Sequence, residues 1–243
     1  MKSDKRLLPE FPKTRHLPYK PNAVRDDLVA SVEDCAVIFT LATVYVEEKV
    51  DGANSGMMLH EGRPIIRNRS HVLNKGYLKD TPAKVQFRPI WNWFYDNKKS
   101  FAAINRMAGG PVGIYGEWLY ALHGIEYDRL PEWFVAYDVY DPEEGKFLDT
   151  AKARHLLTAA GFQTTPFLHG GPIQGWEQLE RFCNEASAYS GKDRREGVYV
   201  KVSDGRFVTH RFKMVRADFV QGCKWNERKI TKNQLAKELP NGG

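Results

Sequence analysis

The sequence predicts a mixed α+β fold with antiparallel sheets, and two observations carry that prediction. From Val44 onward, short strand-like runs broken by glycine recur: TVYVEEKV, GIYGEWLY, WFVAYDVY, GVYVKV and RFVTHRFKMV. Between them lie stretches with helical spacing.

Taken in order, residues 1–30 are rich in Lys, Arg and Pro (RLLPEFPKTRHLPYKP), which predicts an extended, loosely structured basic arm. Phe87, Ile90, Trp91, Phe94, Phe101 and Ile104 recur at three, four or seven residues before the Gly109-Gly110 stop, a helical stripe for core packing. Two further helices are expected, one after Thr150 ending near Gly161, and one carrying Trp176, Leu179, Phe182 and Cys183. The end of the chain, 217–243, is rich in Lys and Arg (KWNERKITKNQLAKELPNGG) and reads as a short helix or tail. Residues 1–243 are therefore expected to form one domain.

Composition bounds the function. With 243 residues, 42% of them hydrophobic, the chain can bury a real core. No uninterrupted apolar stretch approaches the roughly 20 residues of a membrane span, and the N-terminus lacks an apolar signal centre. A soluble, cytoplasmic protein is expected, with no membrane partner. Cys35, Cys183 and Cys223 are odd in number and far apart, which points to neither a disulfide framework nor a CxxC metal site. The seven histidines show no ligand-type spacing. A net charge of +6 favours a polyanionic partner, although charge bears on association and not on chemistry.

The strongest local signal is EEKVDGAN, a strand-like run ending in Lys49 and followed by Asp51, Gly52 and Asn54. A lysine at a strand end, with a glycine that lets backbone approach a nucleotide closely, is a candidate nucleophile. Downstream, in order, come Arg67 and Arg69 in IIRNRSH, Glu117 in YGEWLY, Tyr137 and Asp138 in FVAYDVYD, Glu196 in REGVYVKV, and Arg211 and Lys213 in THRFKMVR. In a strand, residues two apart share a face, so Arg211 and Lys213 are expected on one side and Val208, Phe212 and Met214 on the other.

This order and spacing, from about Glu47 to Arg216, resembles the collinear motifs of the covalent nucleotidyltransferases, the superfamily of ATP-dependent ligases and messenger-RNA capping enzymes. KxxGxN, the Arg-Ser pair, GE, the aromatic-Asp pair, EGxxxK and the basic-x-Lys pair resemble the RNA ligase 2-type family most. The resemblance implies a nucleotidyltransferase (ATP-grasp-like) core of two antiparallel sheets flanked by helices, with ATP bound between the sheets.

The same resemblance implies roles. Lys49 takes AMP from ATP, and Asn54 helps organise the nucleic acid and the metal-bound water. Glu48 lies beside adenine, while Arg69 touches ribose or phosphate and Arg67 is a second contact. Glu117 binds the ribose hydroxyls, and Tyr137 stacks on adenine in a position that is usually phenylalanine. Glu196 takes Mg²⁺ (or Mn²⁺), and Lys201 follows it as a phosphate ligand. Lys213 and Arg211 complete the phosphate site, Arg211 replacing the usual lysine with a planar, bidentate donor.

Flanking cations are expected to lower the Lys49 pKa from about 10.4 and so free its amine. The partners implied are RNA ends, a 5′-phosphate and a 3′-hydroxyl, joined by a protein expected to be monomeric. A DNA ligase or a capping enzyme of the same core would need a downstream OB-fold, for which the roughly thirty residues after Lys213 are too few. RNA ligase 2-type enzymes usually carry a helical C-terminal domain, which this chain is expected to lack. A non-catalytic end-binding module is the other alternative, opposed by Lys49, Glu117, Glu196 and Lys213.

Overall fold

A computed structural model describes residues 4–23, 27–41, 43–74, 85–220 and 230–236. Cys223 and most of the expected C-terminal tail lie outside the described residues.

Ten strands form two five-stranded sheets. The strands are β1 (Arg15–His16), β2 (Val44–Lys49), β3 (Ala53–His60), β4 (Arg63–Asn68), β5 (Gly113–Trp118), β6 (Phe134–Asp141), β7 (Lys146–Phe147), β8 (Phe167–Gly170), β9 (Gly197–Ser203) and β10 (Val208–Val215). Sheet one runs β1-β10-β9-β2-β8 and sheet two runs β4-β3-β5-β6-β7. Every pairing is antiparallel except that of β1 with β10, which is parallel.

The helices are α1 (Asp4–Leu7), α2 (Val32–Thr40), α3 (Ile90–Asp96), α4 (Lys98–Ala108), α5 (Thr150–Ala159) and α6 (Trp176–Asn184). Period-two alternation sends Val44, Val46, Val198, Val200, Val202, Phe212 and Met214 to one face of sheet one, where they pack with Cys35 and Ile38 of α2 and Leu179 and Cys183 of α6. On sheet two, Met57, Ile114, Trp118 and Phe134 pack with Phe94 of α3, Phe101 and Ile104 of α4, and Leu157 of α5. Each sheet thus has a face sealed by helices.

The expected stripe from Phe87 to Ile104 is two helices, not one, because the chain turns at Asn97, which caps both. Gly109, at φ 84°, ends α4 in the left-handed conformation that favours glycine. The expected helices after Thr150 and around Trp176 form as α5, which Asp149 caps at Lys152 N, and α6.

The arm is not loose. Leu8, Leu17 and Ala30 are buried, β1 adds an edge to sheet one, and Asn22 donates to the carbonyls of Arg216 and Phe219. Its apolar side chains dominate its charge: Arg15 and Lys20 are spent on Asp34 and Glu180. Residues 230–236 contain no helix; they bridge Ala121 and Leu130, and buried Asn233 donates to the Leu119 and Ala121 carbonyls.

Two register shifts alter the expected faces. One between Val208 and His210 moves Val208 away from Phe212 and Met214 and into the cluster of Leu8, Tyr115 and Tyr137. The other leaves Tyr137 unpaired between Ala136 and Asp138. Tyr137 and Asp138 then both serve the side of sheet two that meets sheet one, since Asp138 pairs with Lys201.

Candidate active site between the two sheets

A cavity of about 590 Å³ is lined by β2, β3, β5, β9, β10, the segment after β4 and the N-terminal arm. Of the residues singled out in the sequence, Lys49, Asn54, Arg69, Glu117, Glu196 and Lys213 line it. They arrive from separate elements because strands of both sheets end at this opening.

Lys49 is the last residue of β2, and its Nζ lies 2.5 Å from Glu196 Oε2 and 5.6 Å from the centre of the Tyr199 ring. Burial works to lower its pKa, but Glu196 first, then Tyr199, Glu117 and Asp51, hold the ammonium above its ordinary value. This reverses the expectation of a lysine made basic by neighbouring cations: the partners nearest Lys49 are acids. Burial raises both carboxyl groups, Glu196 and Glu117, the latter to about 8, with Lys49 offsetting part of each shift.

Asp51 turns from the cavity to bind the chain, its Oδ2 accepting from Gly124 N and Ile125 N at 2.6 and 3.0 Å. Gly52 is needed for packing and not for a nucleotide. A Cβ there would meet Leu119 Cδ2 at 2.6 Å and the Trp118 carbonyl at 2.9 Å.

The other predicted residues are not brought to the cavity. Glu48 shares the parity of Val44 and Val46 and so points to the helix side, where its carboxylate accepts from Ser187 Oγ at 2.5 Å and Ala188 N at 3.0 Å. Arg67 is buried against the carbonyls of Leu8, Asn68 and Arg69. Tyr137 is 3% exposed, with Phe11 of the arm edge-on to its ring and its hydroxyl bonded to the Asn54 carboxamide. Its ring face is therefore covered, and its present contact with the cavity runs through Asn54.

Lys201 bonds Glu47 at 2.6 Å and the Tyr137 carbonyl at 2.8 Å, and lies 3.2 Å from Asp138. Arg211 meets Asp138 and lies over the Phe147 ring. With Arg154 on Glu47, these groups form a buried ionic chain between the sheets.

Residues missed in the sequence also line the cavity: Phe11, His16, Asn22 and Asp27 of the arm, Gln86, Phe87, His123, Tyr199 and Phe219. Tyr199 was within reach of the alternation argument, since it lies two residues from Lys201. The arm residues carry no periodicity that would announce them.

The donor set fits a hard divalent ion bound through few protein ligands. Among the described residues no three His, Cys, Asp or Glu side chains form a metal cage. Four carboxylates (Asp27, Asp51, Glu117, Glu196) face three cations (Lys49, Arg69, Lys213) in the lining. A polyanion entering this cavity needs cations to accompany it, and Glu196 and Glu117 are oxygen donors of the kind Mg²⁺ or Mn²⁺ accepts while keeping water and phosphate ligands.

No helix among the described residues is long and apolar enough to cross a membrane. No match was found among curated proteins. Similar folds occur in solved structures of Naegleria gruberi RNA ligase. A mutant apo form superposes with TM-score 0.59 at 14% identity, covering 87% of this chain and 56% of that one. A mutant with ATP and Mn gives 0.54 at 17% identity, with coverage of 72% and 50%. A form with pyrophosphate gives 0.54 at 18%, covering 72% and 49%. The chain thus spans about half the length of these ligases. The sequence profile of the RNA ligase family matches residues 42–215, which hold the cavity strands from β2 to β10, and the chain belongs to that family.

Proposed function

We propose that the protein is an ATP-dependent RNA ligase acting through a lysine-AMP intermediate at Lys49, its described residues forming one adenylyltransferase domain. The observation that carries this reading is the convergence of Lys49, Glu117, Glu196, Arg69 and Lys213 on one cavity between the sheets. The Naegleria ligase structures with ATP and Mn support the same nucleotide and metal type here.

Lys49 Nζ loses its proton and attacks the α-phosphorus of ATP; an N–P bond forms as the bond to pyrophosphate breaks. An oxygen of an RNA 5′-phosphate then attacks the AMP phosphorus and Lys49 recovers its proton as the N–P bond breaks. Finally a 3′-hydroxyl loses its proton, attacks the activated 5′-phosphate, and AMP departs. Lys213 and Arg69 offset phosphate charge, Glu117 faces the ribose, and Asn54, held by Tyr137, orients the incoming RNA end. Glu196, with Glu117 near it, would hold the divalent ion, which when bound supplies positive charge at the phosphates.

The Lys49–Glu196 pair keeps the amine protonated until phosphate and metal compete for Glu196, so the nucleophile is guarded while the cavity holds no nucleotide. The test is labelling with ATP carrying a radioactive α-phosphate in the presence of Mg²⁺. Wild-type protein should take one AMP per chain and Lys49→Ala none. Equal labelling of the two would refute the assignment.

A further inference from the structure

On β10, Lys213 stands beside His16 of β1 in the parallel register, and both line the cavity. Lys213 Nζ donates to Asp27 Oδ1 at 2.9 Å, and the other oxygen of that carboxylate lies 3.2 Å from His16 Nε2. All three are shielded: the His16 side chain is 2% exposed, Lys213 15% and Asp27 20%. The backbone fixes the arrangement, since His16 N donates to the Leu28 carbonyl, Ala30 N to the His16 carbonyl and Leu17 N to the Lys213 carbonyl.

We infer that His16 and Asp27 are positioning residues for Lys213, so that the N-terminal arm builds part of the phosphate site. The inference rests on the reading of Lys213 as a phosphate ligand. A lysine ammonium is a point charge with three donors on a flexible four-carbon stem, and it does not hold its own direction as a guanidinium fork does. One N–H given to Asp27 aims the remaining two, and a neutral imidazole donating through Nε2 stops the carboxylate from turning away. An ammonium aimed before the nucleotide arrives stabilises charge as it develops on the phosphate without reorganising at that moment. Asp27 could instead merely compete with phosphate for Lys213, and the two roles predict opposite results.

The experiment uses the full chain and follows Lys49 labelling at saturating ATP, KM for ATP, and melting temperature. Asp27→Ala should slow labelling about tenfold to a hundredfold while KM moves less than threefold. Asp27→Asn, whose amide oxygen still accepts from Lys213, should recover to within about threefold of wild type. His16→Gln keeps an N–H donor near the Nε2 position and should behave as wild type, whereas a folded His16→Ala should follow Asp27→Ala. Calorimetry of ATP on Lys49→Ala, with and without Asp27→Ala, should give affinities within about threefold of each other.

Faster labelling or tighter ATP binding in Asp27→Ala would overturn the proposal in favour of competition. Equal losses in Asp27→Ala and Asp27→Asn would overturn it by making charge the cause, and an unaltered Asp27→Ala would leave the arm no part in the site. A wild-type protein that does not label defeats the ligase reading itself, and this inference with it.

Discussion

The cavity and the ionic chain buried behind it are built from the same strands, often from residues two apart. Lys49 and Glu47 share a face of β2, Tyr199 and Lys201 a face of β9, and Lys213 and Arg211 a face of β10. At the cavity end, the Lys49 and Lys213 ammonium groups are each paired with one carboxylate, Glu196 and Asp27, beside open space. At the buried end, Lys201 lies against two carboxylates and a carbonyl, with 2% of its side chain exposed. A cation with one partner beside a cavity can exchange it for phosphate. One surrounded on all sides is committed to joining the sheets.

Three measurements break or sharpen this contrast. The largest effect belongs to a layer sealed more fully than either: Cys183 lies between α6 and sheet one, where burial pushes its thiol up to about 12. A raised thiol pKa keeps the group protonated as pH rises through 8 to 9, where a free thiol near 8.5 ionises. Iodoacetamide at pH 8 should modify Cys183 about a thousandfold more slowly in native than in unfolded protein, mapped by mass spectrometry. Comparable native and unfolded rates would show that this layer opens.

Next, Lys213→Ala should lower Lys49 labelling about a hundredfold with little change in melting temperature, as expected when one donor to developing charge is removed. A large fall in melting temperature would move Lys213 into the structural class. Lys201→Ala should do the reverse. Removing one partner from a buried ionic group costs about 3 kcal/mol, and roughly 6–12 °C of melting temperature in a protein of this size. Labelling at low temperature should fall only a few-fold. A Lys201 variant that melts like wild type but does not label would restore the phosphate role first expected of it.

The split between these regions was half legible in the sequence. Alternation placed Arg211 and Lys213 on one face of β10, and the ordered motifs found six residues that line the cavity. Depth along a strand was not legible: Lys201 and Arg211 carry the same charge as Lys49 and Lys213, and only the approach of Asp138 from the other sheet separates them. Glu48 was readable in principle, because its parity with Val44 and Val46 sends it to the helix side. Tyr137 was not, since the register shift beside it depends on β5, a strand distant in sequence. The arm misled for a different reason. Its Lys, Arg and Pro content reads as solvated chain, yet Leu8, Phe11 and Leu17 anchor it, and paired Arg15 and Lys20 leave little free charge there for RNA.

Asn233 gives the fold a timetable. Its amide nitrogen bonds the carbonyls of Leu119 and Ala121 while its oxygen accepts from Tyr127 N, across 106 to 114 residues of sequence. The segment it holds, 119–130, includes Gly124 and Ile125, whose amides bind the Asp51 carboxylate two residues from Lys49. Contacts so distant in sequence form late, because loop closure must precede them. On the ribosome, both sheets can pair once β10 has emerged, yet the loop beside the nucleophile waits for residue 233. The reactive lysine is thus among the last parts of the protein to be set in place.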